Sequence, residues 1–198
     1  VYKRQLQAEL PRDKRVTDFG IPAYRGRPVD VAPGTYYGSA NARDADTSES
    51  TVGSFTATFN HRFSDTLRVR NALRYYHYEL DRQNTLPAGT TNEAAGTVAL
   101  TRSGVDRNEH GIFNQTELIQ NFSTGSVQHE VLYGLELGQQ NKDALSYSGG
   151  TLANVNLWNP VLPVAPLNGG GTLSGSTLNR YLTRALYLQD QVTLSPQW

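Results

Sequence analysis

The sequence predicts an all-β chain of long antiparallel strands forming part of a transmembrane β-barrel. Three observations carry this. Apolar residues recur at period two and almost nowhere at helical spacing, so strands rather than helices are expected. The strand runs are about twice the five or six residues usual in soluble sandwiches. The connections alternate between short turns and long loops, the pattern of a membrane barrel with turns on one side and loops on the other.

The elements follow in order. Val1 to Leu10 reads as a weak first strand, with Leu6, Ala8 and Leu10 on one face. Residues 51 to 63 alternate around Phe55, Ala57, Phe59 and Phe63. Ser64 and Asp65 then turn the chain into residues 66 to 80, where Leu67, Val69, Leu73 and Tyr75 alternate with Arg68, Arg70, Arg74 and Tyr76. Two alternating runs around a tight turn make a hairpin. Gly111 to Phe122 and Val127 to Asn141 repeat the unit across Ser123 to Ser126, with Gly125 supplying the turn geometry. A last strand spans about Arg180 to Leu194, Pro196 marks a turn, and Trp198 is expected to open the next strand. The long connections are expected at residues 11 to 50, 81 to 110 and 142 to 179. About 14 residues at roughly 3.3 Å each, tilted near 45°, rise about 30 Å, enough to cross an apolar band of about 25 Å.

Composition removes other classes. The 198 residues hold 18 Lys plus Arg against 18 Asp plus Glu, which gives no electrostatic footprint for nucleic acid. With no cysteine there is neither a disulfide framework nor a thiolate site. No run approaches the 18 to 20 apolar residues of a membrane helix, and residues 1 to 20 carry no signal-peptide core. A chain that starts at Val1 and stops at Trp198 reads as a piece of a longer one.

Enzymatic signatures are missing. His61, His77, His110 and His129 are scattered, with no HExxH pair to set two imidazoles on one helical face. Asp106, Glu109 and His110 could hold a cation in a loop, as many polar loops do by chance. Gly169 to Gly171 followed by Thr172 lack the lysine and helix of a phosphate-binding loop, and no GxSxG elbow occurs. Glu130 and Glu136 share a face but stand about 20 Å apart, too far for a glycosidase pair. Two sequons, at Asn114 and Asn121, fall inside an expected strand. The chain reads as no enzyme, with no metal or cofactor held by its own residues.

Several segments resemble the barrel of the TonB-dependent siderophore receptors of the outer membrane. FNQTELI (Phe113 to Ile119), FSTGSVQHEVLYGLELG (Phe122 to Gly138) and ALYLQDQVTLSPQW (Ala185 to Trp198) carry the general likeness. DFGIPAYRGRPVDV (Asp18 to Val31) and YYGSAN (Tyr36 to Asn41) resemble the branch that takes up iron catecholates. The resemblance implies about six strands of a roughly 22-stranded barrel, residues 1 to 198 being a partial barrel domain without the plug. It also implies a bacterial outer-membrane location and TonB-energised uptake of a ferric siderophore, with iron carried inside the chelate. The implied partners are that siderophore, outer-membrane lipid, and the TonB complex acting through the plug.

On that resemblance, loop residues able to stack on aromatic rings and hydrogen-bond anionic oxygens become ligand candidates: Tyr24, Arg25, Arg27, Tyr36, Tyr37, Arg43, Arg82, Arg102, Arg107, Tyr147 and Trp158. The alternative is that the arginines pair with Asp18, Asp30, Asp44 or Asp46, and that Tyr36 and Tyr37 mark the aromatic belt. Arg68, Arg70 and Arg74, with Tyr76 and Tyr78, are expected to face the lumen, either tuning passage or docking the plug. Two other classes stay open: a passive porin or adhesin-type barrel, and a soluble all-β binding domain.

Overall fold

A computed structural model describes residues 2–194. The turn expected at Ser195 to Gln197 and the strand expected at Trp198 lie outside the described residues. The chain is built almost wholly of antiparallel strands: β1 (Tyr2–Glu9), β2 (Arg12–Val16), β3 (Ala23–Tyr24), β4 (Arg27–Pro28), β5 (Thr47–Arg62), β6 (Leu67–Asn92), β7 (Thr97–Thr124), β8 (Val127–Asn156) and β9 (Thr172–Thr193). One short helix, α1 (Ala42–Ala45), precedes β5. The main sheet runs β1-β5-β6-β7-β8-β9, with β2 also pairing β5, and β3 and β4 make a separate two-stranded hairpin. β1 and β2 continue each other along β5. Leu10 and Pro11 interrupt them because proline has no N–H to give the ladder, although the Pro11 carbonyl accepts the Val52 N–H at 3.0 Å.

The strands are far longer than the alternation suggests. β6, β7 and β8 hold 26, 28 and 30 residues. At roughly 3.3 Å per residue β7 is about 90 Å long, and a tilt near 45° leaves a rise of about 65 Å. Only the lower third is needed to cross an apolar band, so the hairpins protrude far above it. The loop expected at residues 81 to 110 is therefore mostly ladder, with Asp81 paired to Asp106 and the chain reversing after Asn92. Of the loop expected at 142 to 179, only residues 157 to 171 are not strand. The expectation failed for a physical reason. Beyond the apolar band neither face is forced to be apolar, so the strands continue on backbone hydrogen bonds with no alternation to mark them.

The register separates two faces. Phe55, Tyr75 and Ile112 lie in one cross-strand row, Ala57, Leu73, Asn114 and Leu137 in the next, then Phe59, Asn71, Thr116, Leu135 and Leu186, then His61, Val69, Leu118, Tyr133 and Leu188. Many of these apolar side chains are open to the surroundings. Aromatic rings gather at the two ends of this face: Phe55 and Tyr75 above, and His61, Phe63, Phe122 and Tyr133 below. The polar side chains inside the band satisfy one another, with Asn71 Nδ2 donating to Asn114 Oδ1 (3.1 Å) and Thr116 Oγ1 (2.8 Å). The opposite face is polar and ion-paired. Arg68 meets Glu130 at 3.1 Å and Arg70 meets Glu117 at 3.0 Å. No helix among the described residues is long and apolar enough to cross a membrane, which leaves crossing by strands untouched.

The buried core is small and sits at the far end from the short turns. Val29, Tyr37, Val98, Leu100, Val155 and Leu157 form it, with Ile21, Tyr24, Val31 and Ala153 packed around. Along β7, Val98, Leu100, Arg102 and Gly104 are buried, while Asp106, Asn108, His110 and Ile112, on the same side by alternation, are exposed. The face that is bare in the band is thus covered above it by a cap, residues 17–46 and 157–167, and by the glycines 169–171 that follow it.

Candidate functional site

Two places concentrate functional side chains. The first is the polar face of β5 to β8. Arg62, Arg68, Arg70, Arg74, Arg82, Arg107 and Lys142 share it with only Glu109, Glu117, Glu130 and Glu136. The other face of the same strands carries Glu49, Glu79, Asp81, Asp106 and Asp143 against a single, buried Arg102. The formal net charge of zero conceals this segregation. Low on the polar face Arg68 and Arg70 are matched by Glu130 and Glu117, while Arg62 has no carboxylate partner among the described residues. Tyr187 ties the group together, its hydroxyl accepting from Gln115 Nε2 (2.7 Å) and donating to Glu117 Oε1 (3.1 Å).

Higher on this face the matching is incomplete. Glu109 serves both Arg107 (3.6 Å) and Lys142 (3.9 Å), and Arg74 and Arg82 have no carboxylate partner among the described residues. The Nε–H groups of Arg82 and Arg107 are buried without an acceptor. A buried donor left unpaired is costly, and water or a bound oxygen acceptor can serve it. Below them Tyr76 stacks on Phe113, ring centres 6.3 Å apart, and both line a concavity with Arg70, Arg74, Gln115 and Glu136. Arg68, Arg70, Arg74 and Tyr76 thus share the face opposite Leu67, Val69, Leu73 and Tyr75.

The second place is the cap. Tyr24 and Arg27 pair across the β3–β4 hairpin, whose turn holds Arg25 at φ 52° and Gly26 at φ 76°. Left-handed backbone suits glycine and is unusual for arginine. The Arg25 N–H donates to Glu93 Oε1 at 2.9 Å, which fixes that turn. The Arg25 guanidinium then lies 5.1 Å from the Tyr24 ring centre, and Tyr24 meets Trp158 edge-on at 5.1 Å. The fold so brings together Tyr24, Arg25 and Trp158, which are 134 residues apart at most in the sequence. Arg43 is exposed on α1, and Tyr147 lies on the covered face opposite Gly104.

Tyr36, Tyr37 and Arg102 are turned inward. The Arg102 guanidinium donates to Asp46 Oδ1 (2.7 Å), Ala45 O (2.8 Å), Thr85 Oγ1 (3.2 Å) and Pro166 O (3.2 Å). Asp46 Oδ2 accepts from the Ser39 N–H (2.8 Å), Ser39 Oγ (2.6 Å) and the Tyr36 hydroxyl (3.2 Å). The Tyr37 hydroxyl donates to Leu157 O. Burial pushes the Arg102 guanidinium down from its usual range, and Asp46 opposes that shift. Burial and then the Asp46 charge push the Tyr36 phenol far up, so it stays a neutral donor. These three side chains are committed to protein partners. Sequence reasoning had placed Asp46 among possible arginine partners. It missed Lys142, Phe113 and Tyr187, and grouped Glu109 with Asp106 and His110, which lie on the opposite face; continuing the Arg68 register across the sheet finds all four.

Long antiparallel strands, an exposed apolar band edged by aromatics and a charged opposite face define a segment of an outer-membrane type β-barrel. Residues 2–198 match the family model described as TonB dependent receptor-like, beta-barrel, and the chain belongs to that family. The catecholate siderophore receptor Fiu of Escherichia coli K12 is 26% identical over 208 residues, covering 98% of this chain and 27% of the relative. The ferrioxamine B receptor of Salmonella typhimurium is 27% identical over 194 residues, covering 95% of this chain and 26% of the relative. The crystal structure of the ferric-catecholate import receptor Fiu in its open form superposes with a TM-score of 0.78 at 22% identity, over 98% of this chain and 32% of that one, a likeness of fold. The chain spans about a quarter of the length of the curated relatives it matches. Those relatives are receptors, and the family's barrels are outer-membrane proteins.

Proposed function

We propose that the chain is a wall segment of an outer-membrane receptor that imports an iron chelate, of catecholate type, by TonB-energised transport. The polar face then lines the lumen and the apolar band meets lipid. The observation that carries this reading is the segregation of charge. A ferric tris-catecholate is anionic, and the face carrying unpaired Arg74 and Arg82, and the half-paired Arg107 and Lys142, attracts anions along its length. Tyr76 and Phe113 add aromatic surface for the catechol rings. Exposed Arg25, Arg27 and Trp158 on the cap, with half-buried Tyr24 and exposed Arg43, present the same chemistry to the outside. TonB acts through a plug supplied by other parts of the receptor. The chain performs no catalysis, and iron is cargo inside its chelate, with no protein ligand.

The test is charge reversal on the polar face of the complete receptor. Arg74→Glu combined with Arg107→Glu is expected to weaken binding of a ferric tris-catecholate at least tenfold and to flatten its salt dependence, since each screened contact contributes to the salt slope. Unchanged affinity and an unchanged salt slope overturn the reading. Uptake that survives collapse of the proton gradient points instead to a passive porin.

A further inference from the structure

The cap is made of two stretches far apart in sequence, residues 17–46 and 157–167, and one buried ion pair sits where they meet the β6–β7 hairpin. Asp46 is wholly buried and Arg102 2% exposed. Through them the chain near Ser39, the strand residue Thr85 and the carbonyl of Pro166 share one hydrogen-bonded unit. The same two stretches are joined again nearby. Asn41 donates to Ala165 O (2.9 Å) and accepts from the Ala165 N–H (2.8 Å), and the Ala40 N–H donates to Pro163 O at 2.8 Å. Tyr37 reaches Leu157 O, and Trp158 follows directly, seated against Tyr24 and over Gly96.

Two chain segments that satisfy each other's buried polar groups cannot separate singly. Lifting residues 36–46 strands the Arg102 guanidinium, and lifting 163–167 removes acceptors and donors from Arg102 and Asn41 together. Small buried groups of this kind open as cooperative units, and breaking one partner of a buried pair leaves an uncompensated charge. We propose that residues 17–46 and 157–167 form one cooperative cap riveted to the sheet by Asp46 and Arg102, and that these are positioning residues. They hold the Tyr24, Arg25 and Trp158 cluster in a fixed geometry before any ligand arrives. The role assigned to that cluster rests on the proposed function, whereas the cooperativity of the cap does not.

The experiment uses the complete receptor with Asp46→Asn, and separately Arg102→Gln, read by hydrogen exchange and by binding of a ferric tris-catecholate. In the unchanged receptor the amides of Ser39, Ala40 and Ala165 are expected to exchange at one common rate. In Asp46→Asn all three are expected to speed up together by at least tenfold, while β5 to β8 in the apolar band keep their protection, which shows the barrel intact. Affinity is expected to fall at least fivefold, with the loss in the association rate, and the double variant Asp46→Asn with Arg102→Gln recovers part of both by removing the stranded charge. Faster exchange at Ser39 alone, with Ala165 unmoved, overturns the cooperative cap. Joint opening with unchanged affinity overturns the positioning role. Failure of the unchanged receptor to bind the chelate counts against the proposed function, and the exchange result still decides the cap.

Discussion

Gly134 shows how single positions set the polar face. A Cβ there would run into the Tyr187 ring, which lies flat over the glycine and so brings its hydroxyl between Gln115 and Glu117. Phe113 covers Gly138 in the same manner, and a Cβ added there would lie 2.5 Å from its ring. Glycine weakens a strand unless a neighbour fills the space, and an aromatic ring across the ladder does so. Gly134→Val is expected to destabilise the receptor by about 1–3 kcal/mol, the range for forced overpacking. It should also uncouple Tyr187 from Glu117. Tyr187→Phe keeps the packing and is expected to cost only about 1 kcal/mol, the net worth of a neutral hydrogen bond. Thermal unfolding in detergent ranks the two, and an equal cost for both would show that the ring's fit over Gly134 is unimportant.

At the scale of the element, the protruding part of β6 and β7 carries a conflict. Asp81 faces Asp106 directly across the ladder, with Glu49 on the next strand. Like charges in opposed positions disfavour pairing by roughly 0.2–1 kcal/mol. Burial, then Asp106, then Glu49 raise the Asp81 carboxyl above its ordinary value. The folded state therefore holds the proton more tightly than the unfolded one. Its contribution is fully favourable below the ordinary carboxylate pKa and is lost as pH rises through the raised value. Asp81→Asn is accordingly expected to stabilise the hairpin at neutral pH, with the gain vanishing in mild acid. Melting temperatures of the two proteins measured from pH 4 to pH 8 should converge at the acid end. Divergence there would remove the carboxyl pair as the cause.

At the scale of the whole molecule, the register makes a statement about surroundings that labelling can check. These 198 residues hold no cysteine, so within the segment an introduced thiol reports alone, and the unsubstituted receptor serves as the blank. A cysteine replacing Leu73 or Leu137, both exposed in the apolar band, is expected to resist a membrane-impermeant maleimide on intact cells. One replacing Asp143 or Trp158 is expected to react at once. Ready labelling at Leu73 would place that face in water and dismiss the membrane reading.

What could be read from the sequence followed the solvent. Between Phe55 and Leu137, where one face of the sheet is apolar and the other charged, that contrast imposes period two on each strand. That alternation marks the hairpins around residues 64 to 65 and 123 to 126 and puts Arg68, Arg70 and Arg74 on one face, opposite Leu67, Val69 and Leu73. Above the band no such contrast exists, so residues 81 to 110 looked like loop although they form ladder. The cap lay further out of reach. Asp46 and Arg102 are 56 positions apart, and Tyr37 and Leu157 are 120 apart. Nothing local in either partner marks the other, because a buried ion pair or a seated tyrosine is selected by how whole segments come together. The sequence by itself therefore determined the barrel segment, through a pattern repeated every two residues. Only the tertiary structure decided which of its arginines and tyrosines are spent on holding the cap and which remain open to a ligand.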